Sequence, residues 1–206
     1  MKLCYHQLNI LEGFRLIRSF LAIELPEAIR KRIEEIQGDL RSSNSDVRWV
    51  RPEKIHLTLK FFGNIEESRA DTIAKSIGPL VGGTQPFSLE VKGMGAFPNI
   101  KNPRVIWMGL IDEKQVLVPL QKQLESTLET IGFQVEDRPF RPHLTLGRVN
   151  SSRGKDELTG RIQKYKEEKF GDLEVKRLVL FRSDLRPTGP IYTPLMEVKL
   201  EGKKPF

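Results

Sequence analysis

The 206 residues are enough for one large domain or two small lobes, and 38% hydrophobic with 30% charged residues is a soluble globular balance. A single cysteine, Cys4, excludes an internal disulfide, and three histidines without Cys/His clustering argue against a structural zinc. No apolar run approaches the ~20 residues of a membrane span, and the formal net charge of +7 fits a polyanionic partner and equally a basic surface with no partner. The expected setting is a reducing cytoplasm, with no contact with a membrane.

Residues 1–15 lack a clear period and read as an N-terminal extension with neither signal-peptide nor transit-peptide character; His6 lies there and is given no role. From Leu16 the chain reads as a strand to Leu25. A helix follows, opened by Pro26 and carrying Ile29, Ile33, Ile36 and Leu40 at helical spacing. After the Ser42–Ser45 loop come a short strand, Val47–Val50, a break at Arg51-Pro52, and a strand from Ile55 to Phe62. A second helix spans Glu66–Leu80. The next round begins with an alternating strand, Phe87–Val91, and a loop punctuated by Gly93, Gly95 and Pro98. A strand over Arg104–Leu110 leads to a helix over Val116–Ile131, with Leu117, Leu120, Leu124 and Leu128 on one face and Gly132 as its cap. Then come a strand from His143 to Val149, a solvated helix over Asp156–Lys169, and strands over Val175–Ser183 and Tyr192–Leu200.

The order β-α-β-β-α thus occurs twice in outline, with no Ser/Gly-rich linker between the rounds. The expected fold is α+β: residues 16–206 form a single bilobed domain of duplicated β-α-β-β-α lobes, with antiparallel sheets around a central groove. One short stretch is also doubled. His56-Leu57-Thr58-Leu59 recurs as His143-Leu144-Thr145-Leu146, preceded by Arg51-Pro52 in one copy and Arg141-Pro142 in the other. On a strand, each His shares a face with its Thr while the two Leu point the other way. A lone copy would most simply be a structural histidine. A repeated one implies internal duplication, with two imidazoles and two hydroxyls facing one groove. Imidazole suits proton transfer near neutrality, and a hydroxyl is a compact donor to an anionic oxygen.

Lys60 alternates onto the face of His56 and Thr58 and is a candidate to reach the groove. Arg51 and Arg141 are candidate groove residues or turn residues ahead of proline. Trp49, Phe61 and Phe140 are candidates to stack a base, with core packing as the alternative for each.

These motifs and their flanks resemble the 2H phosphoesterase superfamily, within it the RNA 2′,3′-cyclic phosphodiesterases also called 2′-5′ RNA ligases. The likeness runs from about Arg18 to Leu200. It includes Phe20–Pro26, Val47–Val50, Ile55–Gly63, Gly95–Pro98, Pro103–Trp107, the block Arg138–Arg148, and Leu180–Ser183. The resemblance implies two α+β lobes around a groove and no cofactor or metal. It also implies opening of a 2′,3′-cyclic phosphate on RNA or a nucleotide to a 2′-phosphomonoester. By the same resemblance His56 is the proton donor, His143 the proton acceptor, and Thr58 and Thr145 hold the non-bridging oxygens. Arg148 is a phosphate ligand on this reading. Its odd offset from His143 points to the wrong face of an ideal strand, so a bulge or the strand end at Gly147 must turn it round. A monomer is expected. Enzymes that make or break 2′-5′ RNA linkages would use the same residues, and a non-catalytic RNA-binding module is the alternative of a different class.

Overall fold

The computed structural model describes residues 15–187 and 189–202. The extension assigned to residues 1–15 falls almost wholly outside them. The described chain runs β1 (Leu16–Glu24), α1 (Glu27–Arg41), β2 (Val47–Trp49), β3 (His56–Glu66), α2 (Arg69–Gly83), β4 (Phe87–Phe97) and β5 (Val105–Ile111). It continues through α3 (Leu117–Glu129), β6 (His143–Val149), α4 (Lys155–Lys164), β7 (Lys169–Val175), β8 (Arg177–Asp184) and β9 (Ile191–Lys199). No described helix is long and apolar enough to cross a membrane.

The strands form two sheets, ordered β3-β1-β8-β9 and β2-β6-β5-β4-β7, and every pairing is antiparallel. Each motif strand lies in a different sheet, and β3 and β6 approach one another without pairing. The two-lobed antiparallel architecture is the expected one, but each lobe draws on both rounds of the sequence. β2 leaves the first round to pair with β6, and β8 and β9 complete the sheet begun by β1 and β3. The helices cross over too. α1 packs on β7 and α4, against the second sheet, whereas α2 packs on α3, β8 and β9. Hydrophobic periodicity marks the face a helix buries but not the surface that receives it. Because of the exchange, Ile29, Ile33, Ile36 and Leu40 of α1 join one continuous core with Leu57, Leu59, Leu144 and Leu146 of both motif strands. Each such side chain contributes roughly 1.5–3 kcal/mol on burial.

Four local expectations change. The solvated helix ends at Lys164 and is followed by strand β7, where Phe170, Leu173 and Val175 are buried. β4 runs through Gly93 and Gly95 to Phe97 instead of stopping at Val91, and β3 continues past Gly63 to Glu66. α2 starts at Arg69 and passes through Pro79, because Ile73, Ile77 and Val81 anchor it in the core on both sides of the proline.

Candidate active site

Both motif strands break their alternation at the same place. In β3, Lys60 pairs with Leu21 and Thr58 with Ala22, so Leu59 has no partner of its own. In β6, Gly147 pairs with Ile106 and Thr145 with Trp107, so Leu146 is likewise unopposed. A one-residue bulge reverses the facing of everything after it. Residues five beyond each histidine therefore return to the histidine's side: Phe61, 45% exposed, in the first copy and Arg148 in the second. Residues four beyond turn inward. Gly147 fits there because a Cβ would lie 2.7 Å from Val47 Cγ1 and 3.0 Å from Trp49 Cε3 of the adjoining β2.

Each bulge is held by a buried glutamine from a helix of the opposite round. Gln37 of α1 donates through Nε2 to the carbonyls of Leu146 (3.0 Å) and Val50 (2.7 Å). Gln121 of α3 donates to the Leu59 carbonyl (3.3 Å) and to Glu125 (3.1 Å). Sequence reasoning singled out neither residue. A polar residue on an otherwise apolar helix face was the available signal.

Lys60 does not reach the groove as a free cation. The Leu59 bulge turns it inward, where it is 4% exposed and its Nζ meets Glu125 Oε2 at 2.6 Å and donates to the Gln134 carbonyl. Losing one partner of such a buried pair costs about 3–5 kcal/mol, so the pair commits Lys60 to structure.

The two imidazoles share one anchoring pattern. His56 Nδ1 lies 3.0 Å from the Lys54 carbonyl, and His143 Nδ1 lies 2.7 Å from the Arg141 carbonyl. A carbonyl can only accept, so this assigns the hydrogen to Nδ1 and leaves Nε2 free on both rings. Their surroundings differ. Phe20 stacks on His56 at 4.5 Å and 18°, and Tyr192 meets its ring edge-on at 5.3 Å. Tyr192 is on β9, three strands from β3, which in a flat sheet is ~14 Å away; this sheet therefore curls around the imidazole. Burial lowers the His56 pKa from 6.5 to about 4, against the opposing pull of the Lys54 carbonyl. Among the described residues His143 has one aromatic neighbour, Phe97, edge-on at 5.1 Å.

A groove of about 690 Å³ brings together Thr58, Phe61, His143, Thr145 and Arg148. Phe97, Arg138, Phe140 and Arg141 line it as well, and Glu136 is its one acidic wall residue besides the tied-up Glu125 beneath. Arg138, Arg141 and Arg148 have no ion pair among the described residues, which suits an anionic ligand. The cavity reaches Thr58 but not the His56 ring, which Phe20, Phe181 and Tyr192 largely enclose. Of the other candidates, Arg51 caps the 3-10 turn at Pro52–Lys54. Trp49 packs on Gly147 with the Arg41 guanidinium 5.7 Å from its ring centre, away from the groove. Arg138 and Phe97 carried no role in the sequence reading; only folding brings the Arg138 loop and the end of β4 to the motif strands. Among the described residues no three His, Cys, Asp or Glu gather as potential metal ligands.

The arrangement has known counterparts. The family described as "LigT like Phosphoesterase" matches this chain twice, at residues 23–107 and 110–192, with one motif histidine at the same depth in each segment. The RNA 2′,3′-cyclic phosphodiesterase of Methanothermobacter thermautotrophicus is 36% identical over 184 residues, covering 89% of this chain and 99% of the relative. That of Methanocaldococcus jannaschii is 38% identical over 181 residues, with 88% and 99% covered. Among solved structures, a Thermus thermophilus protein aligns with a TM-score of 0.75 at 30% identity, covering 91% of this chain and all of that one. E. coli LigT complexed with 3′-AMP aligns with a TM-score of 0.72 at 25% identity, with 90% and 99% covered. The doubled match, the relatives and the shared fold agree: this chain belongs to the LigT-like phosphoesterase family.

Proposed function

We propose that the groove hydrolyses a 2′,3′-cyclic phosphate, at an RNA end or on a nucleotide, to a 2′-phosphomonoester. The observation that carries this reading is the repeated bulge. It sets Arg148 beside His143 and Thr145, and this strand shares one cationic cavity with Thr58 of the other motif. Relatives named for this reaction support the same conclusion.

The cyclic diester carries one negative charge, which Arg148 balances. Thr58 and Thr145 hydroxyls donate to the two non-bridging oxygens, where charge grows in the transition state. His143, neutral with Nε2 free, takes a proton from water as the water oxygen bonds to phosphorus. The P–O3′ bond breaks, and His56 gives its Nε2 proton to the departing 3′ oxygen. In the empty groove His56 is neutral at pH 7, so the anionic substrate must draw the proton onto it by favouring the charged ring. Solvent resets both rings after release. These steps call on no metal, and a monomer suffices because one chain supplies both motifs.

The test is product identity. The protein is incubated with 2′,3′-cyclic AMP and with a short RNA ending in a 2′,3′-cyclic phosphate, in excess EDTA, and the products are separated by chromatography. A 2′-phosphate that vanishes with His143→Ala is the expected result. A 3′-phosphate would overturn the leaving-group assignment and with it the role of His56, and no turnover on either substrate would overturn the reading itself.

A further inference from the structure

We propose that a second cavity, around Trp107, binds a nucleotide of single-stranded RNA upstream of the one that reacts; this rests on the phosphodiesterase reading of the groove. Trp107 pairs with Thr145 and Gly109 with His143, so all four lie on the same face of the second sheet. The indole lies across two glycines. A Cβ at Gly95 would fall 2.4 Å from Trp107 Cζ2, and one at Gly109 would fall 3.5 Å from Cζ3. A flat aromatic surface on a floor without side chains is a platform for another ring. Its indole N–H has no acceptor among the described residues, so packing on this floor holds the ring.

The space beside it measures about 630 Å³ and is walled by Gly93, Gly95, Ala96 and Trp107. It opens where β4 parts from β7: their pairing ends at Lys92 and Lys169, and β4 continues to Phe97 paired only with β5 on its other edge. Lys92, Lys101 and Lys166 stand around the cavity, with Glu167 the one carboxylate among them. Lys101 has no ion pair among the described residues, and the other two have only distant ones, Lys92 to Glu90 at 3.8 Å and Lys166 to Glu167 at 4.0 Å. An apolar slot with one aromatic floor and a rim of ammonium groups suits a base with its phosphates, which is how single-stranded RNA is gripped without reading its sequence.

Phe97 joins this cavity to the groove. Its ring is 5.1 Å from His143 and 5.4 Å from Trp107, so the latter two are at most about 11 Å apart. That is no more than roughly three stacked steps at ~3.4 Å per nucleotide. Polarity follows from the chemistry. A 2′,3′-cyclic phosphate is a 3′ end, so the rest of the strand can leave the groove only in the 5′ direction, and a nucleotide over Trp107 is necessarily upstream.

Fluorescence and kinetics test this together. The chain has two tryptophans, and Trp49→Phe leaves Trp107 as the sole reporter. A tetranucleotide RNA ending in a 2′-phosphate should quench it, and 2′-AMP should not. In turnover, Trp107→Ala should raise KM for a cyclic-phosphate tetranucleotide about 5- to 150-fold more than KM for 2′,3′-cyclic AMP. Should that variant fail to fold, Lys101→Glu with Lys166→Glu, both at the surface, should raise the same ratio at low salt. Equal quenching by 2′-AMP, or an unchanged KM ratio in the variants, would overturn the upstream site. Absence of wild-type turnover would instead remove the phosphodiesterase reading, while quenching by the tetranucleotide alone would still report the cavity.

Discussion

His56 and His143 stand at the same point of the same motif, each anchored through Nδ1 to a carbonyl two residues back. What surrounds them has diverged. The first is wrapped by Phe20, Phe181 and Tyr192 and followed, after its bulge, by an inward Lys60 and an outward Phe61. The second is half-exposed, touches Phe97, and is followed by Gly147 and Arg148. One copy offers an aromatic wall and a desolvated imidazole, the other a cation and a solvated imidazole. Duplication makes two copies of a groove-facing strand, and substitution at the fourth and fifth positions after each histidine makes them unlike. Acid and base roles need such a difference, because two imidazoles in identical settings would favour the same protonation state.

Removing each imidazole in turn tests that division most strongly. His56→Ala and His143→Ala should each lower kcat about 10²- to 10⁴-fold on a cyclic-phosphate RNA, while filter binding of the same RNA persists. Loss of binding with turnover per bound molecule intact would favour a binding module. If the roles differ as proposed, a substrate with a better leaving group at the 3′ position should rescue His56→Ala and leave His143→Ala inactive.

The pH dependence of stability separates the two settings without any substrate. The folded-state pKa of His56 is lowered to about 4, below its unfolded value of 6.5. The unfolded chain therefore binds the proton more readily. The stability associated with the neutral ring is intact above pH 6.5 and is lost as pH falls from 6.5 toward 4, by roughly 3 kcal/mol over the window. Urea unfolding at pH 7 and pH 4.5 should show His56→Gln losing less stability on acidification than the wild type. An equal loss in both would mean that the aromatic wall does not desolvate His56. Saturating 2′-AMP should move the His56 titration, followed by NMR, upward; a titration that stays put would reassign the donor role.

The fifth positions should split binding by chemistry. Arg148→Ala should weaken inorganic phosphate and nucleotide alike by about 1.5–3 kcal/mol, the range of a charged hydrogen bond. Phe61→Ala should weaken a nucleotide by about 1–3 kcal/mol and spare inorganic phosphate, if its exposed ring stacks on the base. Equal losses for both ligands in Phe61→Ala would assign that ring to supporting the groove wall, where Arg18 already covers it at 5.4 Å.

Much of the site was legible because chemistry and periodicity coincide in His-Leu-Thr-Leu: the same alternation that buries Leu57 and Leu144 turns the His and Thr to the opposite face. At Arg148 the odd offset required a bulge or the strand end at Gly147, and the bulge is what forms; at Lys60 strict alternation placed a cation in the groove without conflict, so its bulge left no signal. β7 escaped because Lys169–Val175 follows a Lys/Glu-rich run and its apolar residues do not alternate; Gly171, at φ 140° against Ile29, breaks the period. The exchange of β2 and the helices between lobes left no trace in local pattern. A buried face identifies itself by its spacing, whereas its partner is chosen only by the assembled fold.

The glutamines are the smallest and most discriminating place to test that exchange. Gln37→Leu leaves the Val50 carbonyl without its side-chain donor and loosens the Leu146 bulge, whose carbonyl also accepts from the Val50 N–H at 2.9 Å. Gln121→Leu releases the Leu59 carbonyl and one oxygen of Glu125 over longer bonds. Each should cost about 1–3 kcal/mol in urea unfolding, Gln37 more than Gln121. The functional consequence should follow the bulge and not the lobe from which the glutamine comes. Gln37→Leu, in a helix that follows the first-sheet strand β1, should weaken phosphate binding through Arg148 in the second motif. On an Arg148→Ala background the same change should weaken phosphate binding little further, because the side chain that the bulge presents is already gone. Additive losses would mean that Gln37 supports the groove by some route other than turning Arg148 toward it.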